Sequence, residues 1–238
     1  MKLVIAEKPS VAVTIAKVIG ARTRKNGYYE GNGYIVSWCV GHLIQMASPD
    51  KIDEKWKKWT IENLPIIPEE YIYEVSKSTK KQYGVLKKLL NDKNIDKVIN
   101  ACDAGREGEL IFRLVYNQAK SKKKIQRLWI SSMENKAIED GFRNLKDGEN
   151  FEDLYRSASA RAIADWLVGM NLSRLYSCIY KETYSVGRVQ TPTLYLIAKR
   201  DSEINLFKKQ KYYTVDLSYK GLKLVSDRID RIEVAEQL

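Results

Sequence analysis

The sequence predicts an α/β fold: a parallel sheet sandwiched by helices, followed by a mainly helical domain and the first strand of a further β domain. Two short apolar runs of strand length, Leu3 to Ala6 and Val98 to Cys102, are each followed by a turn and a helical pattern, the alternation that builds parallel sheets. After about residue 150 this alternation gives way to one long amphipathic pattern, and from Lys211 strand-like alternation returns. The expected division is residues 1–150, 151–210 and 211–238.

Each element has a local reason. Leu3 to Ala6 is a buried strand; Pro9-Ser10 opens a helix with Val11, Ala12, Ile15, Ala16 and Ile19 on one face, closed by Gly20. Tyr34 to Val40 is aromatic and β-branched between Gly33 and Gly41, which predicts a second strand. Pro49 to Pro68 carries Trp56, Trp59 and Pro65 without periodicity and predicts an irregular excursion. Tyr83, Leu86, Leu89 and Leu90 give 80–90 a helical face. Val98 to Cys102 is a strand, 109–117 a helix with Leu110, Ile111, Leu114 and Val115 inward, and Gln126 to Ile130 another strand. Residues 154–175 read as a long helix presenting Ala158, Ala162, Trp166, Leu167 and Met170, and 193–200 as a second helix. Tyr212 to Tyr219 alternates as a strand and meets a Lys220-Gly221 turn.

The 238 residues carry 41 Lys and Arg against 30 Asp and Glu, a formal charge of +11, and such a field attracts polyanions. Lys2 is followed by only four apolar residues before Glu7, unlike a signal peptide, and no apolar run approaches the roughly 20 residues of a membrane span. A soluble intracellular protein is expected. The three cysteines, Cys39, Cys102 and Cys178, are widely spaced in apolar surroundings and read as buried free thiols. The lone histidine, His42, excludes a His-based metal cage and a Ser-His-Asp triad and reads as structural. The lysine run at 120–124 reads as a solvated loop.

Acidic residues stand where the strands end. Glu7 follows Ala6, and Asp103 and Glu107 follow Cys102 within Asp103-Ala104-Gly105-Arg106-Glu107-Gly108-Glu109. Open α/β sheets bind ligands at that edge, and Asp103 and Glu107, four apart across a strand-to-helix turn, can be aimed at one point. A hard cation such as Mg²⁺ commonly uses one or two carboxylates plus substrate phosphate. Arg106 beside them suits a bidentate phosphate clamp; the plain alternative is a surface salt bridge. Taken alone, Glu7 reads better as a helix-start acid with Ser10 as cap. The tryptophans are by default packing anchors, although one or two can stack unpaired bases.

Four motifs, Ile5-Ala6-Glu7-Lys8-Pro9-Ser10, Asp103 to Glu109, Ala160-Arg161 with Ala164-Asp165-Trp166, and Ser185-Val186-Gly187-Arg188-Val189-Gln190-Thr191-Pro192, together resemble the type IA DNA topoisomerases, specifically the bacterial topoisomerase III branch. The resemblance implies a Toprim-like sheet carrying a Mg²⁺ site, then a helical DNA-binding domain and the start of an arch domain. It implies that Glu7 and Asp103 are metal ligands, with Glu107 completing the cluster or binding the ion through water, that Lys8 steadies the scissile phosphate, and that Arg106 joins the catalytic group. It places Arg161, Asp165, Trp166, Arg174 and the loop Ser185, Val186, Gly187, Arg188, Val189 and Gln190 against single-stranded DNA, with Trp59 as a further contact.

Many Toprim proteins have a second aspartate where this chain has Gly105, so one Mg²⁺ is expected in place of two. The family's nucleophile is a tyrosine in a motif without a match among the fifteen tyrosines here. The expectation is an amino-terminal fragment of a monomeric, ATP-independent enzyme of the bacterial cytoplasm and nucleoid, with single-stranded DNA as partner, no membrane and no small-molecule cofactor. The alternatives are a Toprim nuclease or primase-like domain and a noncatalytic DNA-binding module.

Overall fold

A computed structural model describes residues 1–237, as two units spanning Met1–Arg188 and 189–237. In the first unit the chain runs β1 (Lys2–Ala6), α1 (Pro9–Ile19), β2 (Thr23–Lys25), β3 (Tyr28–Gly31), β4 (Tyr34–Trp38), β5 (Ile44–Met46), α2 (Pro49–Ile52), β6 (Tyr73–Val75) and α3 (Lys80–Leu90). It continues through β7 (Lys97–Ala101), α4 (Arg106–Gln118), β8 (Lys124–Arg127), α5 (Asn135–Arg143), β9 (Lys146–Asp147) and α6 (Glu152–Tyr180). Seven strands form one sheet in the order β2-β3-β4-β1-β7-β8-β9. Its centre, β4-β1-β7-β8, is parallel, and the edges β2, β3 and β9 join antiparallel.

Alternation along β1 builds the layers. Leu3 and Ile5 face one side with Leu86 and Leu90 of α3 and Leu110, Phe112 and Val115 of α4; Val4 and Ala6 face the other with Ala12, Ile15 and Ala16 of α1 and Ile138 of α5. Burying both faces requires the near-continuous apolar runs seen in β1 and β7. α1 starts with Pro9 at its first position and ends at Gly20, whose φ of 82° lets its N–H reach Ala16 O. Ser10 lies inside this helix and caps nothing, which removes the helix-start reading of Glu7.

Several boundaries move. The second strand stops at Trp38, the helix after the acidic motif begins at Arg106, and β8 ends at Arg127, so Trp129 and Ile130 lie outside the sheet. The 49–68 excursion holds short helical turns, at Pro49–Ile52, Glu54–Lys57 and Ile61–Asn63, and a cis Leu64-Pro65 bond. α6 is longer than expected and contributes Ala158 to the core beside α4, so 151–188 pack with the first unit. Cys39 and Cys102 are buried free thiols and Cys178 is half-buried. No helix among the described residues is long and apolar enough to cross a membrane.

The second unit holds α7 (Gln190–Asn205), the antiparallel pair β10 (Asp216–Tyr219) and β11 (Leu222–Val225), and α8 (Ile232–Ala235). Lys220 and Gly221, both at positive φ, make the tight turn between the strands.

Candidate active site

Parallel pairing of β1 with β7 puts Ala6 opposite Ala101, so the residues that follow emerge side by side at the carboxyl edge of the sheet. Glu7, only 8 % exposed, has its Oε2 3.4 Å from the backbone N–H of Asp103, which donates to it. Two residues 96 positions apart in sequence therefore meet at one edge. Lys8 Nζ stands 3.4 Å from the other Glu7 oxygen, with its side chain more than half exposed.

The Asp103 turn is held from beneath. Gly105 N–H donates to Asp103 O at 2.9 Å, and Arg127 Nη2 donates to the same carbonyl at 2.6 Å. A Cβ on Gly108 would lie 2.2 Å from Asp103 O and 2.8 Å from Asp103 N; glycine is there because the turn's backbone crosses the first turn of α4. Gly105 is different: its backbone is fully extended and a Cβ would meet nothing within 4 Å, so this position has room for a side chain it does not carry. Asp103, Arg106 and Glu107 are exposed, with Glu107 in the first turn of α4 where the helix dipole favours an anion. Arg106 forms no ion pair among the described residues.

Glu107 does not join the other two carboxylates. Its Oε2 faces His42 Nε2 at 3.6 Å, and among the described residues no group of three or more metal-type side chains is assembled. At this edge Glu7 and Asp103 stand in direct contact, and Glu107 lies beside them with its carboxylate toward His42. His42 reaches this place because Cys39 N–H donates to Ala6 O and Gly41 N–H to Glu7 O, at 2.8 and 3.4 Å, leading the chain from β4 across the site.

Below lies a buried polar network that the sequence reading missed. Arg127 is fully buried and donates from Nη1 to the carbonyls of Asn100, Cys102 and Leu128, at 3.1, 2.7 and 2.9 Å. Its Nε is 3.1 Å from Glu109 Oε2, an ion pair by distance but off the line of a hydrogen bond. Asn100 Nδ2 donates to the same Glu109 oxygen at 2.8 Å, and Arg113 Nε donates to Oε1 at 2.9 Å. Burial pushes the Arg127 guanidinium down and the Glu109 charge opposes that push.

The second set of expected residues lies on α6 and the chain that follows it. Arg188 binds Asp165 with both ends of its guanidinium, Nε to Oδ1 at 2.6 Å and Nη2 to Oδ2 at 3.3 Å, and Arg161 Nε lies 3.8 Å from Oδ2. Two arginines share one carboxylate, leaving a net positive patch. The Arg188 hydrogen bond holds Asp165 below the ordinary carboxylate range; Asp165, and to a smaller extent Glu107, pushes Arg188 up. Ser185 and Arg188 are exposed, and Val186 and Gly187 half-buried. Val189 and Gln190 open the second unit.

Two of the residues expected to face DNA make contacts within the fold. Arg174 is 4 % exposed, donates to Trp56 O at 2.6 Å and lies 5.2 Å from the Trp59 ring; it fastens the excursion to α6, and desolvation lowers its pKa. Trp166 is half-buried with its ring edge-on to Tyr71. Trp59 itself is 46 % exposed. The lysine run is also less free than expected: Lys123 donates to the carbonyls of Asp92 and Ile95, and Lys124 pairs with Asp147 at 2.8 Å.

Comparison with known proteins fits this geometry. Residues 2–133 match the Toprim domain and residues 149–237 match the DNA topoisomerase family. The chain is 48 % identical over 219 residues to DNA topoisomerase 3 of Staphylococcus aureus strain MRSA252, covering 92 % of this chain and 31 % of that protein. It is 47 % identical over 220 residues to DNA topoisomerase 3 of Staphylococcus saprophyticus, with the same coverage. It therefore spans about a third of the length of the curated relatives it matches. Full-length topoisomerase I of Thermotoga maritima superposes with a TM-score of 0.60 at 24 % identity, over 99 % of this chain and 37 % of that one, and shares the fold. Two family domains in sequence and close relatives over nearly the whole chain leave one assignment: the chain belongs to the type IA DNA topoisomerases, in the topoisomerase III branch.

Proposed function

We propose that this chain supplies the phosphate-handling edge and part of the single-stranded DNA groove of a Mg²⁺-dependent, ATP-independent topoisomerase that cuts one strand, passes another and reseals the first. The observation that carries the reading is the meeting of Glu7 with Asp103 at neighbouring strand ends. The donor set fits a hard cation: two carboxylates, oxygen ligands only, at an edge open to substrate phosphate. Glu7 and Asp103 would hold Mg²⁺, and the ion, when bound, would supply charge neutralisation at the phosphodiester.

The chain's own side chains do the rest. Lys8 presents a point charge where negative charge builds on the phosphate during transfer. Arg106 offers the parallel donors that grip phosphate oxygens. Arg161 and Arg188 hold the backbone of the cut strand, and the Ser185 to Gly187 segment follows it, fixing the reacting ends in place. The attacking tyrosine would come from the part of the relatives' length that this chain does not span; no tyrosine hydroxyl hydrogen-bonds to Glu7, Lys8, Asp103, Arg106 or Glu107 among the described residues. The tyrosine oxygen bonds to phosphorus as the bond from phosphorus to the 3′ oxygen breaks, leaving a 5′-phosphotyrosine and a free 3′-hydroxyl; reversal restores the phosphodiester, so no external energy source is needed. Such a protein works as a monomer in the cytoplasm beside the nucleoid.

Two experiments test this. The purified chain with Mg²⁺ is expected to bind single-stranded DNA and to leave negatively supercoiled plasmid unrelaxed and unnicked; nicking would favour a nuclease, and relaxation would overturn the assignment of the nucleophile. Arg188→Ala is expected to weaken oligonucleotide binding about tenfold and to lower the salt slope by about 0.7, because it removes a cation and also unmasks Asp165. Lys122→Ala, an exposed member of the lysine run, should change affinity less than twofold. Equal losses for the two would reduce the patch to general charge. The Asp165 pKa is depressed in the folded chain, so the pair is fully formed above the ordinary carboxylate range and is lost only as pH falls through the lowered value. Affinity should therefore show no step attributable to this pair between about pH 6 and 9.

A further inference from the structure

Beyond Asp165, α6 carries an exposed aromatic stripe that the grip on the backbone does not use. Tyr176 and Tyr180 lie one turn apart with ring centroids 6.2 Å apart and ring planes parallel to within 2°. The Tyr184 ring stands 5.4 Å from that of Tyr180 at 54°. The three are 41, 59 and 42 % exposed, and none of their hydroxyls makes a hydrogen bond among the described residues. Tyrosines kept for packing bury the ring and satisfy the hydroxyl; these do neither.

Their position is built. The Ser177 hydroxyl donates to Ser173 O at 2.7 Å and accepts from Tyr184 N–H at 2.9 Å. One turn earlier, the Ser173 hydroxyl accepts from Val186 N–H at 2.9 Å. These two serines fold the chain after α6 back along the helix, which sets Tyr184 against Tyr180 and carries Arg188 to Asp165. Asp165 and Tyr176 are eleven residues apart, close to three full turns, so they share a face about 16 Å apart. The arginine patch and the aromatic stripe are thus successive parts of one surface.

We infer that Tyr176, Tyr180 and Tyr184 form a stacking platform for unpaired bases of the same DNA strand whose phosphates Arg161 and Arg188 hold; this rests on the proposed reading of that patch as a DNA grip. Continuity with a cationic patch, in a chain of net charge +11, favours a polyanion over a protein surface as the occupant. Every base offers a π-face, so stacking gives affinity without strong sequence preference.

The test uses the 238-residue chain and two fluorescein-labelled probes of equal length and phosphate number, an oligothymidylate and its abasic counterpart. Tyr180→Leu should weaken oligothymidylate binding roughly 5- to 100-fold, Tyr180→Phe should bind within twofold of the parent, and all three proteins should bind the abasic strand alike. Circular dichroism melting checks that these exposed substitutions leave the fold intact. If Tyr180→Leu loses nothing, or loses equally on the abasic strand, the platform is refuted and the stripe is a packing face for protein. Were that to happen while Arg188→Ala still weakened binding, the grip would survive alone. A parent chain that bound neither probe would overturn both readings.

Discussion

Arg127→Met is expected to destabilise the first unit by about 3–5 kcal/mol, the range for breaking a buried ion pair by removing one partner. The side chain is fully buried, and its loss strips a hydrogen-bond donor from the carbonyls of Asn100, Cys102, Leu128 and Asp103 at once. Each uncompensated buried acceptor costs about 1–3 kcal/mol, but local relaxation and the surviving Arg113–Glu109 bond keep the total below their sum. For a body of this size the melting temperature should fall by about 10 °C. Arg127→Lys keeps the charge yet cannot reach four carbonyls from one ammonium, so it should recover less than half of the loss. Urea unfolding followed by circular dichroism measures both, and a loss under 1 kcal/mol would show that the network does not hold the turn.

The contrast between this residue and the acidic motif shows what the sequence made legible. Local patterns were readable: Tyr83, Leu86, Leu89 and Leu90 follow helical spacing and are all buried in α3, and the glycine-containing run from Asp103 to Glu109 is the turn into α4. The meeting of Glu7 and Asp103 was also within reach, because parallel strands end at the same edge. Arg127 was not. In Gln126-Arg127-Leu128-Trp129-Ile130 it looks like the polar member of an alternating strand, and its partners lie up to 27 residues away in sequence. Its bonds to Asn100 and Leu128 carbonyls accompany the chain's exit from the sheet, so the strand expected through Ile130 ends early. The excursion at 49–68 lacked periodicity for a related reason. Asn171 bonds Ile66 and Arg174 bonds Trp56 across 105 and 118 positions, so its order comes from α6 and not from its own residues. The same distance effect governs the surroundings of Glu107: spacing placed it near Asp103, and His42, brought in from the end of β4, comes to 3.6 Å from its carboxylate.

The placement of Glu107 beside His42 makes the second large effect a graded one. Glu7→Gln and Asp103→Asn are near-isosteric, and each removes one of the two charges that would hold the cation. The parent chain should gain about 1.4 kcal/mol of stability when Mg²⁺ is raised to tenfold above its dissociation constant, read as a rise of about 3–6 °C in melting temperature. Either variant should lose that rise while its melting temperature without Mg²⁺ stays within about 3 °C of the parent, because Gln at position 7 still offers an oxygen to the Asp103 N–H. Glu107→Gln should keep most of the rise, since its carboxylate faces His42. In an enzyme completed by the remaining domains, the first two substitutions should slow strand cleavage and resealing by about 10²–10³-fold, the scale of losing one electrostatic stabiliser at a reacting phosphate, and Glu107→Gln by much less. Three equal losses of Mg²⁺-dependent stabilisation would restore a three-carboxylate cluster that closes around the ion. No loss in any of them would remove Glu7 and Asp103 from metal binding altogether, and with them the chemical role assigned to this edge of the sheet.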